Sequence, residues 1–436
     1  MDKERRDINI ICDSDINHNR LKYTIDFINN HPLKPQGINI HFNCDCKNCL
    51  KIFYSNKRLD SEICIPLQHV FYSESIPEKE SLIANKYFTS EQELFSVETK
   101  KKPTDKFFEN NSFGFDIFET IFFHISRYEE VFLSRGDLDK HRRMNQDSQF
   151  LIKNNLHYQP VVDRLIFEFF KNLNYDIKNQ KSTYILTHDI DIIRKFSGML
   201  KLPKSIVRIL LMKKGIKGVM HIIKSYFRAI NKKELDPYYT FNWLFTDNNQ
   251  YLKKIVFFVA GGKSRYDLFN KSYLKEMPGI IRKAKSKGYD IGLHPSYFAF
   301  DNKKMFETEK KLLESVAGIP MKYTRSHFLR LDIQKTFEII EILGFEYDST
   351  LGYADDIGFR CGTGYSYHPY NFLQERKWTF KEIPLMIMDS ALMKKSDQNT
   401  ELFYQKYTDF IKNNINNTNI TINIHNSTFE QNPFIY

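Results

Sequence analysis

Hydrophobic spacing changes character near residue 180. Before it, apolar positions at 115, 117, 118, 121, 122, 125 and 128 recur at helical intervals and predict a long helix over 113–132. Pro160 stands at a favoured first-turn position and opens a second helix through 173. Residues 7–12 read as a short strand, and the polar stretch 172–182 as a linker. After 183, short apolar runs alternate with longer helical stretches. The strands are expected at 184–187, 255–260, 289–293, 323–325, 345–348, 383–388 and 420–424. Helices are expected between them at 275–287, 306–317 and 331–343. Alternation of this kind belongs to parallel α/β units. The expected fold class is therefore α/β: a (β/α) barrel of about seven parallel strands over residues 181–436, complete or with a gap. A smaller α/β domain over 1–180, of unknown role, precedes it.

Composition narrows the class. A chain of 436 residues is long enough for two domains, and 42% hydrophobic with 15% aromatic content supports packed cores rather than disorder. Residues 1–7 are charged and no apolar run follows them, so no secretory signal is expected and the default location is cytoplasmic. Six cysteines are too few for a disulfide scaffold. Three of them, Cys44, Cys46 and Cys49, cluster downstream of His41. They read either as zinc ligands or as reduced cysteines in a turn.

The net charge of +11 is concentrated. Between Arg194 and Lys233 stand twelve Lys or Arg and no Asp or Glu, interleaved with Leu, Ile, Val, Met and Phe. A basic amphipathic segment of this kind is expected to contact an anionic membrane surface peripherally, at its inner face for a cytoplasmic protein. The alternative is a helix pair with a solvated basic face. No nucleic-acid module accompanies the charge, so nucleic acid is not an expected partner.

The candidate chemistry lies at strand ends. Thr187-His188-Asp189-Ile190-Asp191 closes the first barrel strand, and alternate residues on an extended backbone face the same way. Asp189 and Asp191 can therefore share a pocket, one binding a cation and the other accepting a proton. The plainer alternative makes one a helix cap and leaves the other solvated. Later strands contribute His294, then Arg325 and His327, then Asp348, then His425. Chemistry in parallel barrels sits at the C-terminal ends of strands, and these groups converge there.

These residues resemble the polysaccharide deacetylases of the NodB-homology type, carbohydrate esterase family 4, over about residues 183–430. The Asp-x-Asp, Ile291-Gly292-Leu293-His294, Arg325 and Ile422-Asn423-Ile424-His425 resemble the family's motifs. His294-Pro295-Ser296-Tyr297, Asp348 to Asp355 and Gly358 to Thr363 are similar to a bacterial subfamily with an uncharacterised domain ahead of the deacetylase half. The resemblance implies that Asp189 is the catalytic base, that Arg325 orients it and that His425 is the general acid. It makes Asp191 and His294 ligands of a divalent metal, most simply Zn2+. The family has a second histidine four residues after the first, and here that position is Phe298. His327 alternates with Arg325 on an extended segment and is the expected replacement, with His188 in reserve.

The activity implied is metal-dependent hydrolysis of an N-acetyl group on an amino sugar or glycan intermediate. Tyr353, Asp355 and Arg360 follow the strand at 345–348 and are expected to meet sugar hydroxyls or charged groups. Arg360 has a structural ion pair as its alternative role. The rival functions are a non-catalytic carbohydrate- or lipid-linked-glycan-binding protein on the same fold, a metal phosphoesterase, and a scaffold that docks through 194–233.

Overall fold

The computed structural model describes residues 6–55, 62–73, 81–131, 133–196, 201–211, 215–245 and 251–428. Two compact units emerge from the backbone. One comprises residues up to 182 together with 358–384 and 410–419; the other comprises 183–357, 385–409 and the chain from 420 onward.

The first unit is built on a six-stranded sheet. Its leading strand, Ile8–Ile11, pairs in parallel with Ile40–Phe42 on one side and Leu50–Tyr54 on the other. Helix His18–Asn29 starts where the Asn17 side chain accepts hydrogen bonds from the backbone N–H groups of Asn19 and Arg20. Helix Val161–Asn172 begins directly after Pro160, as its sequence predicts. The expected helix over 113–132 is shorter, Ile117–Ile125. Asp116 caps its start, and its end is marked by Arg127 in the left-handed region at φ 57°. There the Arg127 guanidinium meets Glu129 (2.8 Å) and Glu130 (2.7 Å), all three side chains being buried. A buried ion network thus displaces the last helical turns that the apolar spacing suggests. In the same unit Cys46 and Cys49 form a disulfide, contrary both to the reading of reduced cysteines and to that of zinc-binding thiolates. Cys44 is a free thiol, and the three sulfurs lie within 4.8 Å of one another.

The second unit carries the barrel. Its strands are β1 (Thr183–Ile190), β2 (Tyr251–Val259), β3 (Asp290–His294), β4 (Tyr323–Thr324), β5 (Tyr347–Asp348), β6 (Ile387–Met388) and β7 (Asn419–Asn423). They stand consecutively, in the order β5-β4-β3-β2-β1-β7-β6, within one eight-stranded sheet. The pairs β1–β2, β2–β3, β3–β4, β4–β5 and β6–β7 are parallel. The two ends of that order meet at one isolated parallel bridge, Gly352 with Leu385. A Cβ at Gly352 would lie 2.9 Å from Leu385 Cβ, so only glycine lets the chains approach there. This is a nearly closed (β/α) barrel with seven strands in the unit. Helices Lys271–Ser286, Lys303–Ala317 and Lys335–Ile342 occupy the expected intervals. The strand interiors, such as Ile255 to Val259, are fully buried, as parallel strands covered by helices require.

Between β1 and β2 the chain leaves the barrel for helices Lys201–Leu211 and Gly215–Asn231. Buried Phe196, Ile222, Tyr226 and Ala229 form a small core of their own, with Leu202 and Ile206 packed against it. No described helix is long and apolar enough to cross a membrane.

Candidate active site

β1 delivers the two carboxylates, and its alternation decides which neighbours face them. Thr187 and Asp189 point to the same interior: the Arg325 Nη1 donates to Thr187 Oγ1 and to Asp189 Oδ1, both at 2.9 Å. His188 points the opposite way. It donates Nδ1–H to the Ile424 carbonyl (2.9 Å), its Nε2 lies 3.3 Å from the Tyr289 hydroxyl, and burial lowers its pKa to about 4. His188 is therefore not among the groups around Asp191, and the reserve ligand role expected of it does not fit.

Three side chains from separate strand ends meet at Asp191. His294 Nε2 lies 3.3 Å and His327 Nε2 3.6 Å from Asp191 Oδ1. The ring orientations follow from what each Nδ1 does. His294 donates its Nδ1–H to the Arg325 carbonyl (2.5 Å), and His327 Nδ1 faces Asp267 Oδ1 (3.2 Å). Both Nε2 atoms are thereby turned toward one point. Asp191 Oδ1 is buried and has no hydrogen-bond donor among the described residues. Burial raises the Asp191 carboxyl, but His327 and His294 outweigh it and hold its pKa well below the usual range. The same neighbours act back on His327: burial opposes its charge, yet Asp191 and Asp267 bring its pKa up to about 9. A half-buried carboxylate with one buried oxygen, facing two imidazole nitrogens whose other nitrogens are engaged, is a set of donors that could hold a divalent cation. Phe298, four residues after His294, is 52% exposed, and His327, beyond the next strand, brings the third potential ligand atom beside Asp191 and His294.

Asp189 is held apart from that trio. Arg325 pairs with Asp189 Oδ1, and Asn423 Nδ2 donates to Asp189 Oδ2 at 2.9 Å. Burial pushes the Asp189 carboxyl up, but Arg325, His294 and His425 draw it below the usual value, so it stays ionised. Arg325 is fully buried and its donors are all directed: Nε to the Ser349 carbonyl (2.9 Å), Nη2 to Ser349 Oγ (2.8 Å) and Nη1 to Asn423 Oδ1 (2.7 Å). The Phe257 ring lies 4.5 Å from its guanidinium carbon. Phe257 in turn needs Gly292 on β3, where a Cβ would fall 2.5 Å from the ring.

His425 follows β7 and faces the same interior. Its Nε2 is 3.9 Å from both Asp189 Oδ2 and Asp191 Oδ2. Its Nδ1 donates to Asp389 Oδ1 at 2.6 Å, and its backbone N–H to Asp389 Oδ2 at 2.7 Å. Burial disfavours the imidazolium, but Asp389, then Asp191 and Asp189, raise its pKa to about 10. It is protonated at neutral pH, with Nε2–H toward the carboxylates.

The remaining expected residues lie otherwise. Tyr353 is buried, and Asp355 pairs with Lys394 (2.8 Å) with its side chain 44% exposed. Arg360 belongs to the first unit and is bound there to Glu130 (2.7 Å), its side chain 5% exposed. That is its structural alternative, and the buried pair leaves no free guanidinium for a sugar. Conversely, Asp389, Asp267 and Asn423 carry contacts that were not anticipated. Asp389 could have been found by the strand-end rule, since it directly follows β6. Asn423 could have been found by alternation, two residues before His425.

Residues 10–178 match a family of unknown function, DUF7033. No curated protein matches the chain. Among solved structures the chain is similar to a probable polysaccharide deacetylase from Pseudomonas aeruginosa PAO1, at 15% identity and TM-score 0.33, covering 58% of this chain and 79% of that one. It is similar to a CE4 family pseudoenzyme from Bacillus anthracis at 9% identity and TM-score 0.27, covering 58% and 60%. It is also similar to the PuuE allantoinase, at 13% identity and TM-score 0.29, covering 58% and 78%.

Proposed function

We propose that the second unit is a metal-dependent amide hydrolase that removes N-acetyl groups from an amino sugar or glycan intermediate. The observation that carries the reading is the separation of two neighbouring carboxylates, Asp189 buried and Asp191 half-buried, into two environments: Asp191 faces His294 and His327, while Asp189 faces Arg325 and Asn423. Two carboxylates pushed into different roles by their neighbours are the mark of an acid–base site.

Asp191, His294 and His327 would hold the cation, which when bound polarises an acyl oxygen and acidifies water. Asp189, kept ionised by Arg325, accepts the proton of the attacking water. Asn423 and Arg325 fix the carboxylate's orientation so that no reorganisation is needed as charge moves. His425, protonated through its contact with Asp389, donates Nε2–H to the departing amine, which leaves neutral. The Arg325–Asp189 pair and the Asp389–His425 pair thus supply opposite proton tasks at one pH.

The test is acetate release from acetylated amino sugars by the purified chain, with and without a chelator. Release that stops on chelation and returns with added zinc supports the reading. No release across free, nucleotide-linked and lipid-linked acetylated sugars, by zinc-loaded protein, would overturn it and favour a glycan-binding protein.

A further inference from the structure

The helical hairpin between β1 and β2 has three faces, and packing within the hairpin explains only one. In helix Gly215–Asn231, Ile222, Tyr226 and Ala229 are buried in the hairpin's own core. Ile216, Met220, Phe227 and Ile230 are 80%, 66%, 57% and 53% exposed. At about 100° per residue these four fall on one stripe, roughly a third of a turn from the buried one. Lys217, Lys224 and Arg228, all exposed, fall on the third stripe. None of these three cations has an ion-pair partner among the described residues. The shorter helix repeats the arrangement: Leu202 and Ile206 face the small core, whereas Val207, Leu210 and Leu211 are 55%, 56% and 78% exposed. The exposed residues are spaced i, i+3, i+4 and so share a face.

An apolar stripe flanked by cations, in a segment with twelve Lys or Arg and no acid, is complementary to one kind of surface. A water-exposed helix would not carry the stripe, and a protein partner matching it would need a dense acidic face around an apolar groove. Anionic bilayers supply both elements at once: acyl chains for the stripe, phosphate headgroups for the cations. We propose that this hairpin docks the protein onto anionic lipid bilayers, with the stripe in the interface.

The hairpin's root is fastened to the candidate site. Asp236 accepts from the backbone N–H groups of Lys195 (2.8 Å) and Phe196 (2.9 Å), closing the insertion at its base. Asn426, next to His425, donates to the Ile192 and Tyr238 carbonyls, both at 2.7 Å. Arg194 pairs with Glu276 at 2.7 Å. Docking therefore fixes the position of the loop carrying Asp191 and of the loop carrying His425 against the bilayer.

The experiment is sedimentation of the full chain with vesicles of phosphatidylcholine alone or containing about 30% phosphatidylglycerol. Binding only to the anionic vesicles, weakened by salt, is expected. Lys217→Gln with Lys224→Gln should weaken it roughly 30-fold, and Leu211→Asp with Ile216→Asp should abolish it. These positions are exposed, so circular dichroism of the variants should match the parent. Absence of binding to anionic vesicles, or equal binding by parent and variants, overturns the proposal. So does light scattering that finds a dimer, lost in Leu211→Asp with Ile216→Asp, in a chain that ignores vesicles, because a second copy would then cover the stripe. Vesicle binding needs neither metal nor turnover, so its failure leaves the hydrolase reading standing.

Discussion

Asp389 holds His425 by both of its oxygens, one on the ring Nδ1 and one on the backbone N–H. The carboxylate orients the imidazole and keeps it charged, with Nε2 turned to the reacting groups. Removing its charge lowers the His425 pKa from about 10, since Asp389 is the largest influence raising it. A general acid must be protonated, so the alkaline limb of the kcat profile should move to lower pH in Asp389→Asn. The rate at neutral pH should fall by about 10²-fold, at the low end for acid–base catalysis. An unmoved alkaline limb in the variant would remove Asp389 from this role.

In the proposed mechanism Asp189 is the base, and it is not one of the three groups that surround the cation position. Asp189→Asn should therefore lower kcat by about 10³-fold while leaving metal content unchanged. Acetate release by the purified variant, alongside its elemental analysis, checks both halves. Loss of metal together with activity would place Asp189 among the ligands instead.

Asp267 acts through His327. Its carboxylate turns the ring so that Nε2 faces Asp191, as outer-sphere carboxylates do in metal sites. Asp267→Ala should weaken zinc affinity by about 10–100-fold, with Asp267→Asn milder because an amide oxygen still accepts. Competition with a chromophoric chelator reads the affinity directly.

Arg360 stabilises the first unit. Arg360→Ala leaves Glu130 buried with only Arg127 for a partner, and unfolding should cost about 3 kcal/mol less. The KM for any acetylated sugar should be unaffected. A raised KM at unchanged stability would return Arg360 to the substrate.

The barrel and most of the site were legible because both depend on short-range alternation. Asp189, Asp191, His294, Arg325, His327 and His425 each stand at or just beyond a strand end, and phase along β1 decides that Asp189 faces the interior with Thr187. The same phase excludes His188, which is one residue out of step with Thr187 and Asp189. What was not legible depends on partners far along the chain. Arg360 is fixed by Glu130, 230 residues earlier. Asp267 lies in a loop eight residues past β2, where no periodicity marks it. The helix end at Ile125 is hidden for a different reason. Tyr128 is buried like the helix residues before it, so the apolar spacing continues through a turn that Arg127 has already broken.

The central claim is that Asp191, His294 and His327 form one divalent-metal site. Elemental analysis of zinc-loaded, dialysed protein, compared with His327→Ala, tests it most directly. The expected result is one zinc per chain more in the parent than in the variant. Equal zinc in the two proteins, or none in either, would contradict it.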